Sequence, residues 1–455
     1  MKRNIILIAL SWILPACAAA QARPDVHTSD DSTTVCPATS LRACLEKGLR
    51  NNYSLRIVRN EEQMAANNAT RANAGYLPTV NLSAGYGGSI ENRDTKTQGT
   101  PAVTSHDRNV IDHNLSAGIN AEWTIFDGFK IQTNYKRLQE LKRQSATQTR
   151  IAIEDYMADL VSEYYNFVQQ RIRMRNLRYA VALSRERLRI VQERYIIGSN
   201  SRLDLQQAQV DFNADSAQSL KQRELLASSR IRLNELMAEK TPYHRIMVRD
   251  SAIEVDDALA FDSLWQSTLR NNAQLIRAAQ DKTLAELDLN SIRSRDYPYV
   301  RLNAGYGYSR NMYGTGATAH RQTYGADFGV TVGFKLFDGN RRREQRNARI
   351  AIENAELAQR DVELALHADL SDLWQAYRNN LRLLALERQN LVTAQENHFI
   401  ARERYLLGDL SGIEMREAQK SLLDAEERIL VAEYNTKLCE ISLRQLSGGI
   451  MKYLD

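Results

Sequence analysis

Residues 323–339 read TYGADFGVTVGFKLFDG. Tyr324, Ala326, Phe328, Val330, Val332, Phe334 and Leu336 take every second position, and the small or polar Gly325, Asp327, Gly329, Thr331, Gly333 and Lys335 lie between them. A β-strand turns successive side chains to opposite faces, so this segment has one apolar side and one polar side. A bilayer crossing takes about 9–11 strand residues, and the segment is long enough. Taken alone it fits an amphipathic strand of a soluble sandwich equally well. Recurrence of the pattern decides between the two.

The pattern recurs three times. Residues 79–90 align Val80, Leu82, Ala84, Tyr86 and Ile90 on one face, and residues 114–126 align Leu115, Ala117, Ile119, Ala121, Trp123 and Ile125. Residues 299–308 do the same with Val300, Leu302, Ala304, Tyr306 and Tyr308, and the opening segment supplies a fourth strand over 323–337. Opposite faces carry Asn81, Ser83, Asn120, Glu122, Arg301, Asn303, Asp327 and Lys335.

The chain is written twice. Leu49-Arg50-Asn51-Asn52 returns as Leu269-Arg270-Asn271-Asn272, and Ala84-Gly85-Tyr86-Gly87 as Ala304-Gly305-Tyr306-Gly307, at a shift of 220. Phe126-Asp127-Gly128 returns as Phe337-Asp338-Gly339 at a shift of 211. Arg194-Tyr195 and Gly198 return as Arg404-Tyr405 and Gly408 at a shift of 210. The main length change falls between strand markers, so it belongs to a hairpin tip, where insertions are tolerated. The first tip is expected over residues 91–112 and the second around Tyr313-Gly314-Thr315-Gly316.

Neither proline nor glycine interrupts residues 129–197 or 340–407. A proline costs about 3 kcal/mol and a glycine about 1 inside a helix, so two long unbroken helices are expected. At about 1.5 Å per residue each reaches on the order of 100 Å. A globular core has no use for that reach, whereas a structure crossing the periplasm does. Gly198 and Gly408 then turn the chain back into return helices over 202–237 and 413–446. The expected organisation is a secretory signal over 1–22, a first repeat over 23–245 and a second over 246–455. In the signal, Lys2 and Arg3 precede an apolar stretch, and Ala20-Gln21-Ala22 has the small-x-small form of a cleavage site. Cys17 offers a competing reading as a lipid-modified cysteine. Cys36 and Cys44 either pair in an oxidising compartment or stand as two thiols.

Charged residues make up 25% of the chain and the net charge is +5, too balanced to imply nucleic acid. No HExxH or GxSxG motif appears, and His106 and His113 share a loop without metal-ligand spacing. No enzyme, cofactor or metal is therefore expected. Four strands cannot close a barrel, and an open edge in lipid leaves unpaired amides at several kcal/mol each, so copies must pool their strands. A soluble periplasmic coiled-coil scaffold without a pore is the reading from another class. It predicts no conductance.

The two-fold repeat, Tyr76-Leu77-Pro78, the paired Phe-Asp-Gly turns, the Arg-Tyr-x-x-Gly tips and the closing Leu443-Arg444-Gln445-Leu446-Ser447-Gly448 resemble the TolC family of outer-membrane channels over nearly the whole mature chain. The resemblance implies a mainly α fold with a small β part. It implies a homotrimer whose twelve-stranded barrel in outer-membrane lipid continues into a twelve-helix periplasmic tunnel. It further implies the exit duct of a tripartite efflux pump, joined to a periplasmic adaptor and an inner-membrane RND or ABC transporter. Type I protein secretion is the alternative, which neighbouring genes for an ABC transporter and a secreted substrate would favour.

Site residues follow from the same resemblance. Glu414 and Glu417, six and nine positions after Gly408, match the family's acidic ring, against a plain reading as solvated helix-face glutamates. Asp204 is the first-repeat equivalent of Glu414 and is expected to tie neighbouring hairpins together at the tip. Tyr195 and Tyr405 match the family's tip tyrosine, which helps hold the tunnel shut. Leu410 stands where an arginine can join that latch, so Arg202 or Arg416 is expected to substitute. Ile197, Gly198 and Ser199, with Leu407, Gly408 and Asp409, are expected to meet the adaptor. Arg341-Arg342-Arg343 reads as a solvated face.

Overall fold

A computed structural model describes residues 39–98, 101 and 103–454. The signal segment, Cys17 and Cys36 lie outside the described residues. The first repeat runs α1 (Leu41–Asn51), α2 (Tyr53–Asn68), α3 (Arg71–Ala74), β1 (Thr79–Lys96), β2 (Thr104–Asp127), α4 (Lys130–Ile196) and α5 (Arg202–Leu236). The second runs α6 (Phe261–Asn271), α7 (Ala273–Arg293), β3 (Tyr299–Met312), β4 (His320–Gly333), α8 (Arg341–Leu407) and α9 (Gly412–Leu446). Both long helices have 67 residues, and both return helices have 35. Among the described residues no helix is long and apolar enough to cross a membrane.

The four strands form one antiparallel sheet in the order β1-β2-β3-β4. Its register aligns Leu82 with Ile119, Ile119 with Tyr306, and Tyr306 with Ala326. One step along, Asn81, Asn120, Gly305 and Asp327 stand abreast. The alternation read from the sequence therefore becomes one continuous apolar face and one polar face. The apolar face is bare: Leu82 is 79% exposed and Phe328 89%. A patch of this extent in water marks a surface meant for another apolar phase.

Several strand boundaries differ from expectation, β3 for instance running to Met312 rather than 308. β1 runs on past residue 90 to Lys96 and β2 begins at Thr104 rather than 114, with a bulge between Glu91 and Arg93. The extension is held by polar pairs such as Arg93 with Asp112 (2.9 Å) and His106 with Asp94 (2.7 Å), so it lacks the apolar alternation that reveals a strand. β4 stops at Gly333 rather than continuing to 337. Its partner β3 begins at Tyr299, directly after Pro298, and offers no ladder beyond that point. In the first repeat a bulge between Thr124 and Phe126 lets β2 pair Asp127 with Tyr299 instead.

The repeated Leu-Arg-Asn-Asn marks a helix break that serves three helix ends. Asn52 closes α1 through its N–H to the Gly48 carbonyl and caps α2 by accepting from Leu55 N at 3.1 Å. Its amide also donates to the Leu236 carbonyl at the end of α5, 3.3 Å away. Asn272 repeats this: it accepts from Gln274 N (2.9 Å) and Leu275 N (3.1 Å) and donates to Leu446 O at the end of α9 (3.0 Å).

The first break lies beside the main core, where Met157, Leu160, Val161 and Tyr164 of α4 pack against Leu45, Leu233 and Ile441, and the second beside a smaller core of Leu264, Leu370, Tyr377 and Leu443. Cys44 is buried in the main core, and burial pushes its thiol pKa up to about 12; the Cys36–Cys44 pairing considered from sequence involves Cys36 and so lies outside the described residues. Near the base of α9, Lys437 donates to both oxygens of the fully buried Glu440 at 3.0 Å and lies over the rings of Tyr165 and Tyr453. Burial lowers the Lys437 pKa, and the Glu440 carboxylate beside it works in the opposite direction.

Candidate functional site: the helical hairpin tips

Each long helix ends in the same closure. Gly198 N–H donates to Tyr195 O at 3.0 Å and Ser199 N–H to Arg194 O at 2.8 Å; Gly408 N–H donates to Tyr405 O at 3.2 Å and Asp409 N–H to Arg404 O at 3.0 Å. Both glycines are left-handed, with φ of +81° and +89°. An L-residue pays for that conformation, and the spared carbonyls of the last turn are satisfied by it. The turn leads straight into a capping box on each return helix. Ser201 and Ser411 are the caps, and Asp204 and Glu414 are their partners.

This places the two carboxylates. Asp204 Oδ2 accepts from Ser201 N (3.0 Å) and Ser201 Oγ (2.7 Å), and Glu414 Oε2 accepts from Ser411 N (3.0 Å) and Ser411 Oγ (2.7 Å). The hydrogen bond from each serine hydroxyl holds both carboxyls below their ordinary pKa. Glu417 is exposed one turn further on. With Glu414, Arg404, Leu410, Asn397 and Ser421 it borders an open groove of about 340 Å³ on the second hairpin. Arg202 is exposed on the first turn of α5.

The two tip tyrosines differ in environment. Tyr405 is 4% exposed and sits with Ala401, Met415 and Ala418, and Leu410 packs against this cluster as an apolar side chain. Arg194 of the first tip lies over the Tyr405 ring at 5.0 Å and donates to the Tyr405 carbonyl at 3.1 Å. Burial raises the Tyr405 pKa. Tyr195 is 40% exposed. Arg416 points away from the tip: its Nη1 and Nη2 each reach an Asp215 oxygen at 2.7 Å.

Arg416 thereby belongs to a network that the sequence reading missed. Asp215 also accepts from Ser184, Arg187 pairs with Asp211, and Gln419 Nε2 reaches Ser184 Oγ at 3.3 Å. Ser184 and Gln419 are buried, as are Arg187 and Asp215. Asp211 and Asp215 are four apart on α5, a spacing that places both on one helix face. That spacing was the available signal. On either side of the glycines the surface is apolar, with Ile196, Ile197 and Leu203 on the first tip and Leu407 and Ile413 on the second all at least 74% exposed.

Comparison with known proteins agrees with this architecture. The outer membrane efflux protein family matches residues 44–239 and 264–449, one segment per repeat. The chain is similar to outer membrane protein TolC of Vibrio cholerae, 21% identical over 425 residues that cover 91% of each chain. It is similar also to the probable outer membrane lipoprotein SilC of Salmonella typhimurium, 22% identical over 89% of this chain and 84% of that one. Among solved structures, CusC superposes with a TM-score of 0.72 over 91% of this chain and 93% of its own at 16% identity, which speaks for the fold. The paired repeats, the half-apolar sheet and the long helical hairpins are those of a channel of the Gram-negative outer membrane, and the chain belongs to the outer membrane efflux protein family.

Proposed function

We propose that three copies assemble into the exit duct of an envelope-spanning efflux system. The observation that carries this is the four-stranded sheet with two open edges, β1 and β4, and a bare apolar face. Edges left open in lipid cost several kcal/mol per unpaired group. Two copies would give an eight-stranded barrel filled by its own side chains, whereas three give twelve strands and room for a conduit. The polar face, with Asn120 and Asp327, then lines the water-filled side.

The long hairpins carry the passage through the periplasm and close it at their tips. A periplasmic adaptor docks on the apolar tip residues Ile197, Leu407 and Ile413, flanked by Gly198, Ser199, Gly408 and Asp409, and an inner-membrane pump supplies the energy. Glu414 and Glu417 form acidic rings at the constriction, since a ring of one side chain per copy sets the local field. Glu414 is already engaged as a helix cap, so Glu417 carries the larger share of that field. The test is conductance of the purified protein in planar bilayers. Glu417→Gln is expected to reduce cation preference and sensitivity to divalent ions. An unchanged preference in Glu417→Gln with Glu414→Gln would remove the rings, and absence of any conductance would remove the duct.

A further inference from the structure

The apolar face of the sheet ends toward the helices in a rim of rings. Leu336 and Phe337 are each 86% exposed, Trp123 and Tyr297 are exposed at the same end, and Phe129 stands edge to face with Tyr297 at 5.7 Å. Aromatic side chains with a polar handle collect where hydrocarbon meets headgroups. Directly past this rim α8 begins, and its first turns hold Arg341, Arg342, Arg343, Arg346 and Arg349. Arg341 turns onto the segment after α7, with Nε 2.9 Å from Asp296 Oδ1 and Nη1 donating to Arg295 O at 3.2 Å. The other four are exposed, and none forms an ion pair with a described residue. Arg342, Arg346 and Arg349 recur at helical spacing on one face, and Arg343 flanks them.

The carboxylates at this level are already taken. Asp338 accepts from Lys335 (3.1 Å), Glu344 from Arg295 (2.7 Å) and Asp288 from Arg137 (2.9 Å), and Asp296 is held by Arg341. The first repeat of a second copy brings no carboxylate to this height. Residues 68–78, tied beside the start of α4 by Gln139 to Ala69 O (3.0 Å) and Asn134 to Ala74 O (3.3 Å), contain no Asp or Glu. Four cations in the first turns of a helix also oppose its macrodipole, which favours negative charge there. The cluster therefore calls for an anion from outside the protein.

We infer that Arg342, Arg343, Arg346 and Arg349 bind the headgroups of anionic phospholipids in the periplasmic leaflet of the outer membrane. The inference rests on the reading that the bare face of the sheet meets lipid. A hydrocarbon core of about 30 Å within a bilayer of about 40–45 Å leaves about 5–8 Å of headgroup on each side. From Arg342 to Arg346 the helix advances about 6 Å, and Arg349, about 5 Å further on, reaches back along its long stem. The guanidinium fork takes two phosphate oxygens at once and stays charged. A zwitterionic headgroup carries an ammonium beside its phosphate and cancels most of the attraction. The site therefore selects phosphatidylglycerol or cardiolipin over phosphatidylethanolamine.

The test titrates the detergent-purified protein with phosphatidylglycerol or phosphatidylethanolamine of the same acyl chains and counts retained lipid by native mass spectrometry. Phosphatidylglycerol is expected to be retained preferentially. A basic residue near an anionic surface contributes about fivefold in affinity, so Arg342→Gln with Arg346→Gln should weaken that retention about twentyfold. Arg342→Lys with Arg346→Lys should keep most of it, which shows that the fold survives substitution. The matched control is Arg378→Gln with Arg382→Gln, exposed at the same spacing on the same helix about 50 Å further along, and it should change nothing. Equal retention of the two lipids, or equal loss in both glutamine pairs, overturns the site. Separation into single chains in Arg342→Gln with Arg346→Gln, with the lipid preference intact, would assign the arginines to a contact between copies and overturn it as well. A protein that enters vesicles of neither lipid overturns the lipid-facing sheet on which the site rests.

Discussion

Asn272→Ala is the sharpest stability test of the repeat, because the preceding residue is also asparagine. Asn272 is 5% exposed and makes three side-chain bonds: it accepts from Gln274 N and Leu275 N and donates to Leu446 O. Loss of an N-cap acceptor costs about 1 kcal/mol. Loss of the donor onto the end of α9 removes about 1 kcal/mol more, and the groups left buried without partners add to both. The expected cost is roughly 2–3 kcal/mol. Asn271 is exposed, and its amide reaches only Ser267 Oγ at 3.2 Å. Asn271→Ala should therefore cost less than about 0.5 kcal/mol. Asn272→Ser keeps a capping oxygen but does not reach Leu446, and should fall between. The assay is thermal unfolding in detergent by far-UV circular dichroism at one fixed scan rate, with a fall of roughly 5 °C expected for Asn272→Ala. Equal midpoints for the two alanine variants would refute the assignment of Asn272 as the residue that ties α6, α7 and α9 together.

Three further outcomes are expected. Gly128 has φ of +68°, and a Cβ there would stand 2.0 Å from the Ser294 carbonyl oxygen, so Gly128→Ala should abolish assembled protein in the outer membrane. The counterpart Gly339→Ala meets only the Phe337 ring at 3.7 Å and should be tolerated; comparable loss in both variants would contradict this. Phe328→Arg places a charge on the bare face and should cost about 2–4 kcal/mol if that face meets the bilayer midplane, read as reduced assembly into membranes. The capping carboxylates Asp204 and Glu414 have lowered folded pKa values, so their stabilisation is complete above the ordinary carboxylate pKa of about 4 and is lost as pH falls through the lower folded value. Inactivation rates of Asp204→Asn with Glu414→Gln should exceed those of the unaltered protein at neutral pH and converge with them in acid; a constant ratio across pH would show that the carboxylates are not the cause.

Much of the fold was legible because its signals are periodic. A strand with one face in lipid and one in water must alternate, and a helix of 67 residues must exclude glycine and proline, so both are visible in one dimension. The tip glycines and the acidic positions after them were legible as spacing. Their local duty was not: in the structure Asp204 and Glu414 are each half of a capping box, a role that the sequence reading did not include. Arg416 was read as a tip residue, but a long side chain can reach a partner 201 positions away on a neighbouring helix, and here it does. The hairpin extension past Ile90 was missed because polar cross-strand pairs leave no alternation to find.

The amino-acid sequence by itself determined the four strands, the two long helices with their return arms, the doubling of the chain, the apolar side of the sheet and the glycines at which the long helices end. Each of these depends on the residue and its near neighbours. Only the tertiary structure decided which helix faces meet, which charges neutralise each other inside one chain, and which repeat counterparts are left bare. Those outcomes depend on side chains brought together from positions hundreds of residues apart, and no local pattern specifies such a meeting.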